Sequence, residues 1–136
     1  EGNDVSIKVL VGKVKNTSSA VQTYSPVSIF DVQFTKPSLI DLEISKNQTA
    51  MVYVIDGELK FHDENQIARK GQMIYFDQSS DTINLTSISP TGSYLVLAGE
   101  PLNEPIVRYG PFVTNTEGDM KKAMLDYQNG KMGTLS

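Results

Sequence analysis

The chain of 136 residues has no cysteine and only one histidine, His62. The first absence removes disulfides and thiolate chemistry, and fits a reducing compartment. The second restricts metal chemistry. Iron, nickel, copper and manganese need several imidazole or carboxylate donors on one spot, and a single imidazole cannot make a multi-histidine site. No apolar run approaches the roughly 20 residues that span a bilayer, and no signal peptide is visible at the start. The cations are scattered, with short pairs only at Arg69-Lys70 and Lys121-Lys122, and the net charge is −4. That balance favours solubility and argues against a nucleic-acid surface. There is no Gly-x-Ser-x-Gly elbow and no phosphate-binding glycine loop; Gly71 and Gly99 stand alone. The expectation is a cytoplasmic protein that engages neither membrane nor nucleic acid. The Asn-x-Ser/Thr triplets at Asn16, Asn47 and Asn84 matter only in a secretory context and are read as chance. The chain starts at Glu1 rather than Met, which reads as processing, trimming or excision from something longer.

What is present reads mostly as strand. Val5, Ile7, Val9 and Val11 alternate with Ser6, Lys8 and Leu10; Phe30, Val32 and Phe34 alternate with Asp31 and Gln33; Ile40, Leu42 and Ile44 alternate with Asp41, Glu43 and Ser45. A period of two with one dry face predicts antiparallel sheets packed on one side. Met51 to Ile55 is apolar on both faces and predicts a central strand. Asp56-Gly57 predicts a hairpin, with Glu58 to His62 returning from it. Met73 to Phe76, Thr82 to Ile88 and Tyr94 to Ala98 complete the set. Turn signals recur at Pro26, Lys36-Pro37, Asp56-Gly57, Lys70-Gly71, Ser79-Ser80 and Pro90-Thr91-Gly92. Many short strands punctuated this way predict a sandwich or barrel. The weakly patterned segment from Gly12 to Tyr24 is read as a loop.

The end differs. Gly99 to Val113 is dense in Gly and Pro, and is read as backbone fixed without regular pairing. Thr116 can cap a helix with Asp119 as its capping-box partner. Met120, Ala123, Met124 and Tyr127 share one helical face, and Gly130 stands where a C-terminal cap belongs.

Few residues suggest chemistry. Glu43, Asp77 and Asp81 are oxygen donors suited to a hard ion, but their spacing follows no motif. His62 beside Asp63 and Glu64 reads as a solvated hairpin tip, and Glu58, Lys60 and His62 share one strand face, as an exposed strand would.

Val52-Tyr53-Val54-Ile55-Asp56-Gly57-Glu58-Leu59 resembles the first cupin motif, and Lys70-Gly71-Gln72-Met73-Ile74-Tyr75-Phe76 resembles the opening of the second. Gly99-Glu100-Pro101-Leu102-Asn103-Glu104-Pro105-Ile106-Val107, then Tyr109-Gly110-Pro111-Phe112-Val113 and Asn115-Thr116, then Asp126-Tyr127-Gln128-Asn129-Gly130-Lys131-Met132-Gly133, resemble the closing segment of the pirin family. The resemblance implies an all-β fold, a cupin-type double-stranded β-helix or jelly-roll barrel with one C-terminal α-helix. It implies a single domain over 1–136, with the barrel over 1–113 and the helix and tail over 114–136. Pirins carry two tandem cupin barrels and hold their histidine-and-glutamate metal site in the N-terminal one. Some resemble quercetin dioxygenases, and others act as partners of transcription factors.

Aligned on Gly57, the motif's glutamate position falls at Ala50 and its histidine positions fall around Glu43 to Lys46. The downstream histidine position falls near Asp81 or Thr82. None of these is an imidazole. No cofactor, metal or catalytic residue is therefore expected in this chain. The expected partner is the N-terminal cupin domain of a parent protein, or a second copy, with Tyr109 and Phe112 as candidate contacts. The expected function is a non-catalytic C-terminal cupin domain. The alternative is half of a metal-dependent quercetin 2,3-dioxygenase-like bicupin whose active site lies in the other barrel. A small-molecule carrier is a weaker reading, because Phe30, Phe34, Met51, Tyr53 and Tyr75 suggest a filled interior.

Overall fold

In the computed structural model, which describes residues 4–61, 66–76 and 81–133, the period-two pattern becomes two facing antiparallel sheets. The first comprises β1 (Val5–Val11), β4 (Val27–Phe34), β6 (Thr49–Asp56), β9 (Met73–Phe76) and β11 (Gly92–Gly99), in the order β1-β4-β11-β6-β9. The second comprises β5 (Ser38–Glu43), β7 (Glu58–Phe61), β8 (Ile67–Arg69) and β10 (Thr82–Ser87), in the order β5-β10-β7-β8. Each strand sends alternate residues into one shared cluster. Phe30, Val32, Phe34, Val52, Val54, Tyr94 and Val96 come from the first sheet, and Ile40, Leu42, Leu59, Ile83 and Leu85 from the second. This is the jelly-roll arrangement expected.

The chain divides into two compact units, one ending at Pro101 and one beginning at Leu102. The second unit holds β12 (Val107–Tyr109), β13 (Phe112–Thr114) and α1 (Glu117–Gln128). Thr116 caps α1: its hydroxyl accepts from the Asp119 N–H at 3.1 Å and donates to Asp119 Oδ2 at 2.6 Å. At the other end Gly130 has φ +69°. Its N–H donates to Tyr127 O at 3.0 Å, and the Lys131 N–H donates to Asp126 O at 2.9 Å, which is a Schellman closure. Met120 is buried, Ala123 and Met124 are half-buried, and Tyr127 is exposed. Asn115 Nδ2 donates to Glu104 Oε2 at 2.8 Å and Pro105 O at 3.0 Å, tying the Pro-rich run to the helix start.

Three local expectations are corrected. Asp56-Gly57 is a corner and not a hairpin, because β6 belongs to the first sheet and β7 to the second. Gly57 has φ +85°, and a Cβ there would lie 3.0 Å from Thr91 O and 3.3 Å from Gly92 Cα. Glycine is required because the corner is pressed against the β10–β11 turn. The β7 strand pairs instead with β8, Leu59 opposite Ala68. The segment read as a loop from Gly12 to Tyr24 contains β2 (Lys13–Val14) and β3 (Thr17–Ser18), paired with Lys13 opposite Ser18. The Pro-rich run does pair regularly, Val107 opposite Thr114 and Tyr109 opposite Phe112, around Gly110 at φ +54°. Strands of two or three residues are too short to leave a periodic signal.

Candidate functional site

The strand ends to which alignment on Gly57 assigns histidine positions, Glu43 to Lys46 and Asp81 to Thr82, meet at one corner of the four-stranded sheet. In register, Glu43 of β5 lies opposite Thr82 of β10. The Ile44 N–H donates to Asp81 O at 2.9 Å, and the Lys46 N–H donates to Asp81 Oδ1 at 2.7 Å. The positions singled out from sequence, Glu43 to Lys46 and Asp81 to Thr82, are therefore brought together. Their chemistry is structural. An Asp81 carboxylate oxygen is engaged by a backbone amide, Ile44 turns into the core, and Glu43 is exposed. Ala50 is buried between Ala98 and Phe76 on the neighbouring strands. Among the described residues, no three His, Cys, Asp or Glu side chains come together to hold a metal ion. None of Glu43 to Lys46, Ala50, Asp81 or Thr82 carries an imidazole. His62, Asp63, Glu64, Asp77 and the Ser79-Ser80 turn signal lie outside the described residues.

The two outer faces differ. On the four-stranded sheet, Asn84 Nδ2 donates to Asp41 Oδ1 at 2.5 Å and Arg69 Nε pairs with Glu58 Oε1 at 2.8 Å. Glu43 and Lys60 share this polar face, and Leu39 is its exposed apolar exception. On the five-stranded sheet, Tyr53 and Ile55 of β6 and Met73 and Tyr75 of β9 stand exposed, Tyr75 at 67 %. Tyr53 lies opposite Met73 on one side and Leu95 on the other; Met51 lies opposite Tyr75 and Leu97. These residues form one uncharged apolar field. Met51, Tyr53 and Tyr75 were expected to fill the interior. They face outward because Val52, Val54 and Ile74 take the inward positions.

Residues 29–133 match the family model of the pirin C-terminal cupin domain. The chain belongs to that family. It is 33% identical over 131 residues to pirin of Rattus norvegicus, covering 95% of this chain and 45% of the relative. It is 32% identical over 136 residues to pirin-1 of Arabidopsis thaliana, covering 98% and 47%. A crystal structure of quercetin 2,3-dioxygenase from Acinetobacter baumannii superposes with a TM-score of 0.84 at 26% identity, covering 100% of this chain and 46% of that one. The chain thus spans less than half the length of the curated relatives it matches.

Within this pirin C-terminal domain, one polar pair left no signal in the sequence. Ser87 and Tyr94 are fully buried, and neither hydroxyl has a hydrogen-bond partner. Tyr94 stacks obliquely on Phe34, ring centroids 6.3 Å apart. Burial pushes its phenol well above the ordinary tyrosine range; the nearby Ser87 hydroxyl opposes this only in part. The two oxygens do not meet hydrogen-bond geometry. A phenol held neutral in this way cannot serve as a base at neutral pH. It was hidden because Tyr94 sits on an inward position of an ordinary alternating strand. Tyr109 is exposed, and Phe112 is half-buried with its ring edge-on to Tyr127 at 5.7 Å. Among the described residues, no helix of this domain is long and apolar enough to cross a membrane.

Proposed function

We propose that this chain is a non-catalytic, cytoplasmic C-terminal cupin domain of a pirin-like protein, which packs against a partner barrel. The observation that carries this reading is the donor set. The positions that align with a cupin's metal ligands carry Ala50 and Glu43 to Lys46, none an imidazole, and one Asp81 carboxylate oxygen is engaged by the Lys46 amide. The apolar outer face supports the second part, since exposed apolar patches mark contact surfaces. The test is metal content of the purified chain after exposure to iron, nickel, copper and manganese in turn. The expected result is no stoichiometric uptake. One tightly held ion per chain overturns the reading.

A second reading has its own support. The likeness to the Acinetobacter quercetin 2,3-dioxygenase favours this chain as half of a two-barrel dioxygenase whose active site lies in the other barrel. On that reading the chain alone leaves quercetin untouched, whereas a longer protein carrying both barrels and metal consumes it with oxygen. A longer protein that carries both barrels and bound metal, yet leaves flavonols intact, removes this alternative.

A further inference from the structure

We propose that Asn129-Gly130, at the end of α1, is a site of spontaneous covalent conversion, paced by opening of the Schellman closure around it. Of the asparagines in the chain, only Asn129 is followed by glycine. The Gly130 backbone nitrogen loses its proton to solvent and attacks the side-chain carbonyl carbon of Asn129. A carbon–nitrogen bond forms, closing a five-membered imide. The side-chain nitrogen leaves, takes up a proton, and departs as ammonia. Water then adds to one of the two imide carbonyls and opens the ring. One opening leaves aspartate. The other leaves isoaspartate, with the side-chain carbon now part of the main chain. Nothing is oxidised or reduced, and solvent water is the only co-reactant. Asparagine counts among the thermolabile residues, and glycine after it favours attack because no Cβ crowds the nitrogen.

The structure both opens and restrains this site. Asn129 and Gly130 are exposed, and a Cβ at Gly130 would meet nothing within 4 Å, so solvent reaches the reacting atoms. The cap geometry opposes the attack. Asn129 has ψ 7°, so the Gly130 nitrogen eclipses the Asn129 nitrogen and not its side chain. Ring closure requires rotation about the Asn129 Cα–C bond. That rotation pulls the Gly130 N–H off Tyr127 O, 3.0 Å away, and the Lys131 N–H off Asp126 O, 2.9 Å away. The reacting state is therefore a frayed last turn, which belongs to the low-cost end of local opening. Asn84 and Asn115 lack the glycine, and their side-chain amides are held by Asp41 and by Glu104 with Pro105. Asp56-Gly57 closes the same ring in principle, but Asp56 lies opposite Ser93 in the ladder and Gly57 is pressed against Thr91 O. Conversion at Asn129 undoes the cap. A new carboxylate stands at the negative end of α1, whose last turn holds no basic residue. In isoaspartate the added main-chain carbon also takes both closing N–H groups out of reach.

The test is peptide mapping of the intact chain during incubation at mildly alkaline pH, with mass spectrometry that separates asparagine, aspartate and isoaspartate. The reference is a synthetic peptide of residues 126–133, too short for a stable helix. Asn129 is expected to convert ahead of every other asparagine, but about tenfold more slowly than in the peptide, the order that two backbone hydrogen bonds impose. Lys131→Pro removes one closing N–H and is expected to bring the rate close to that of the peptide carrying the same change. Lys131→Ala keeps that N–H, loses only the ion pair with Asp126, and leaves the rate nearer the parent's. Gly130→Ala slows conversion in chain and peptide, although it weakens the cap. Circular dichroism verifies the fold of each variant, and converted chain shows faster amide exchange at Gly130 and Lys131. An Asn129 that stays intact after the peptide has long converted overturns the proposal. So does a rate equal to the peptide's, indifference to Lys131→Pro, or faster conversion at another asparagine.

Discussion

Gly92 has no room for a methyl group: a Cβ there would stand 2.5 Å from Asp56 O and 2.6 Å from Phe34 Cζ. Overpacking of this kind costs about 1–3 kcal/mol or more. Gly92→Ala is therefore expected to lower the unfolding free energy by that amount, read as a lower urea midpoint at unchanged m. Trimming the ring with Phe34→Leu does not restore it, because the closer clash is with backbone. Tyr94 presents the opposite case, an atom whose removal helps. Its buried hydroxyl has no partner, and leaving such a group unsatisfied costs about 1–3 kcal/mol. Tyr94→Phe is expected to be neutral or stabilising by up to that amount. The same residue gives the pH dependence. Its folded-state pKa is raised by burial, so the folded state keeps the proton after an unfolded tyrosine loses it near 10. Stability is fully present below that pH and falls as pH rises beyond it. Urea titrations on either side of it should show a steeper alkaline loss in the parent chain than in Tyr94→Phe. Equal slopes would contradict the burial argument.

At the scale of elements, legibility follows range. The helix was readable down to its caps, because Thr116, Asp119 and Gly130 act on amides within a few residues of themselves. Three substitutions measure this. Thr116→Ala is expected to cost about 1 kcal/mol through the lost cap. Gly130→Ala is expected to cost a similar amount, about 1 kcal/mol, because φ is +69° although nothing crowds the position. Gly118→Ala should stabilise by up to about 1 kcal/mol: its Cβ meets only Thr116 Oγ1, at an ordinary 3.7 Å. Thermal melts monitored by circular dichroism rank the three, and a destabilising Gly118→Ala would contradict the helix assignment. Asp56-Gly57 shows the limit of local reading. The dipeptide states that φ is positive, not whether the flanking strands pair, and that choice is made by β11 and β9 on one side and β10 and β8 on the other. That the aligned positions lack imidazoles is a property of the sequence itself and needs no structure to read. The apolar outer face was not legible, because Met51, Tyr53 and Tyr75 differ from core residues only in which way the pleat turns them.

For the whole molecule the decisive pairings are distant ones: Val27 with Gly99, Phe34 with both Val5 and Gly92, Thr82 with Glu43. Non-local β pairing of this kind folds in about milliseconds to seconds, because loop closure precedes the contacts that reward it. Among the described residues, every member of the first unit's buried cluster lies between Phe30 and Ala98, and the partly buried side chains packed on it lie between Val5 and Phe76. The boundary at Pro101 therefore falls after the last strand that contributes to the cluster. A chain ending at Pro101 is expected to retain both sheets and to unfold in one cooperative step. Its denaturant m-value should be lower only in proportion to the surface no longer present. Far-ultraviolet circular dichroism and the near-ultraviolet tyrosine signal give two independent probes, and their transitions should coincide. The alkaline loss assigned to Tyr94 should persist in the shortened chain, since Phe34 and Ser87, which lie beside its ring and hydroxyl, are retained. Separated transitions, or a shortened chain that binds hydrophobic dye and lacks the tyrosine signal, would mean that the barrel depends on residues after Pro101.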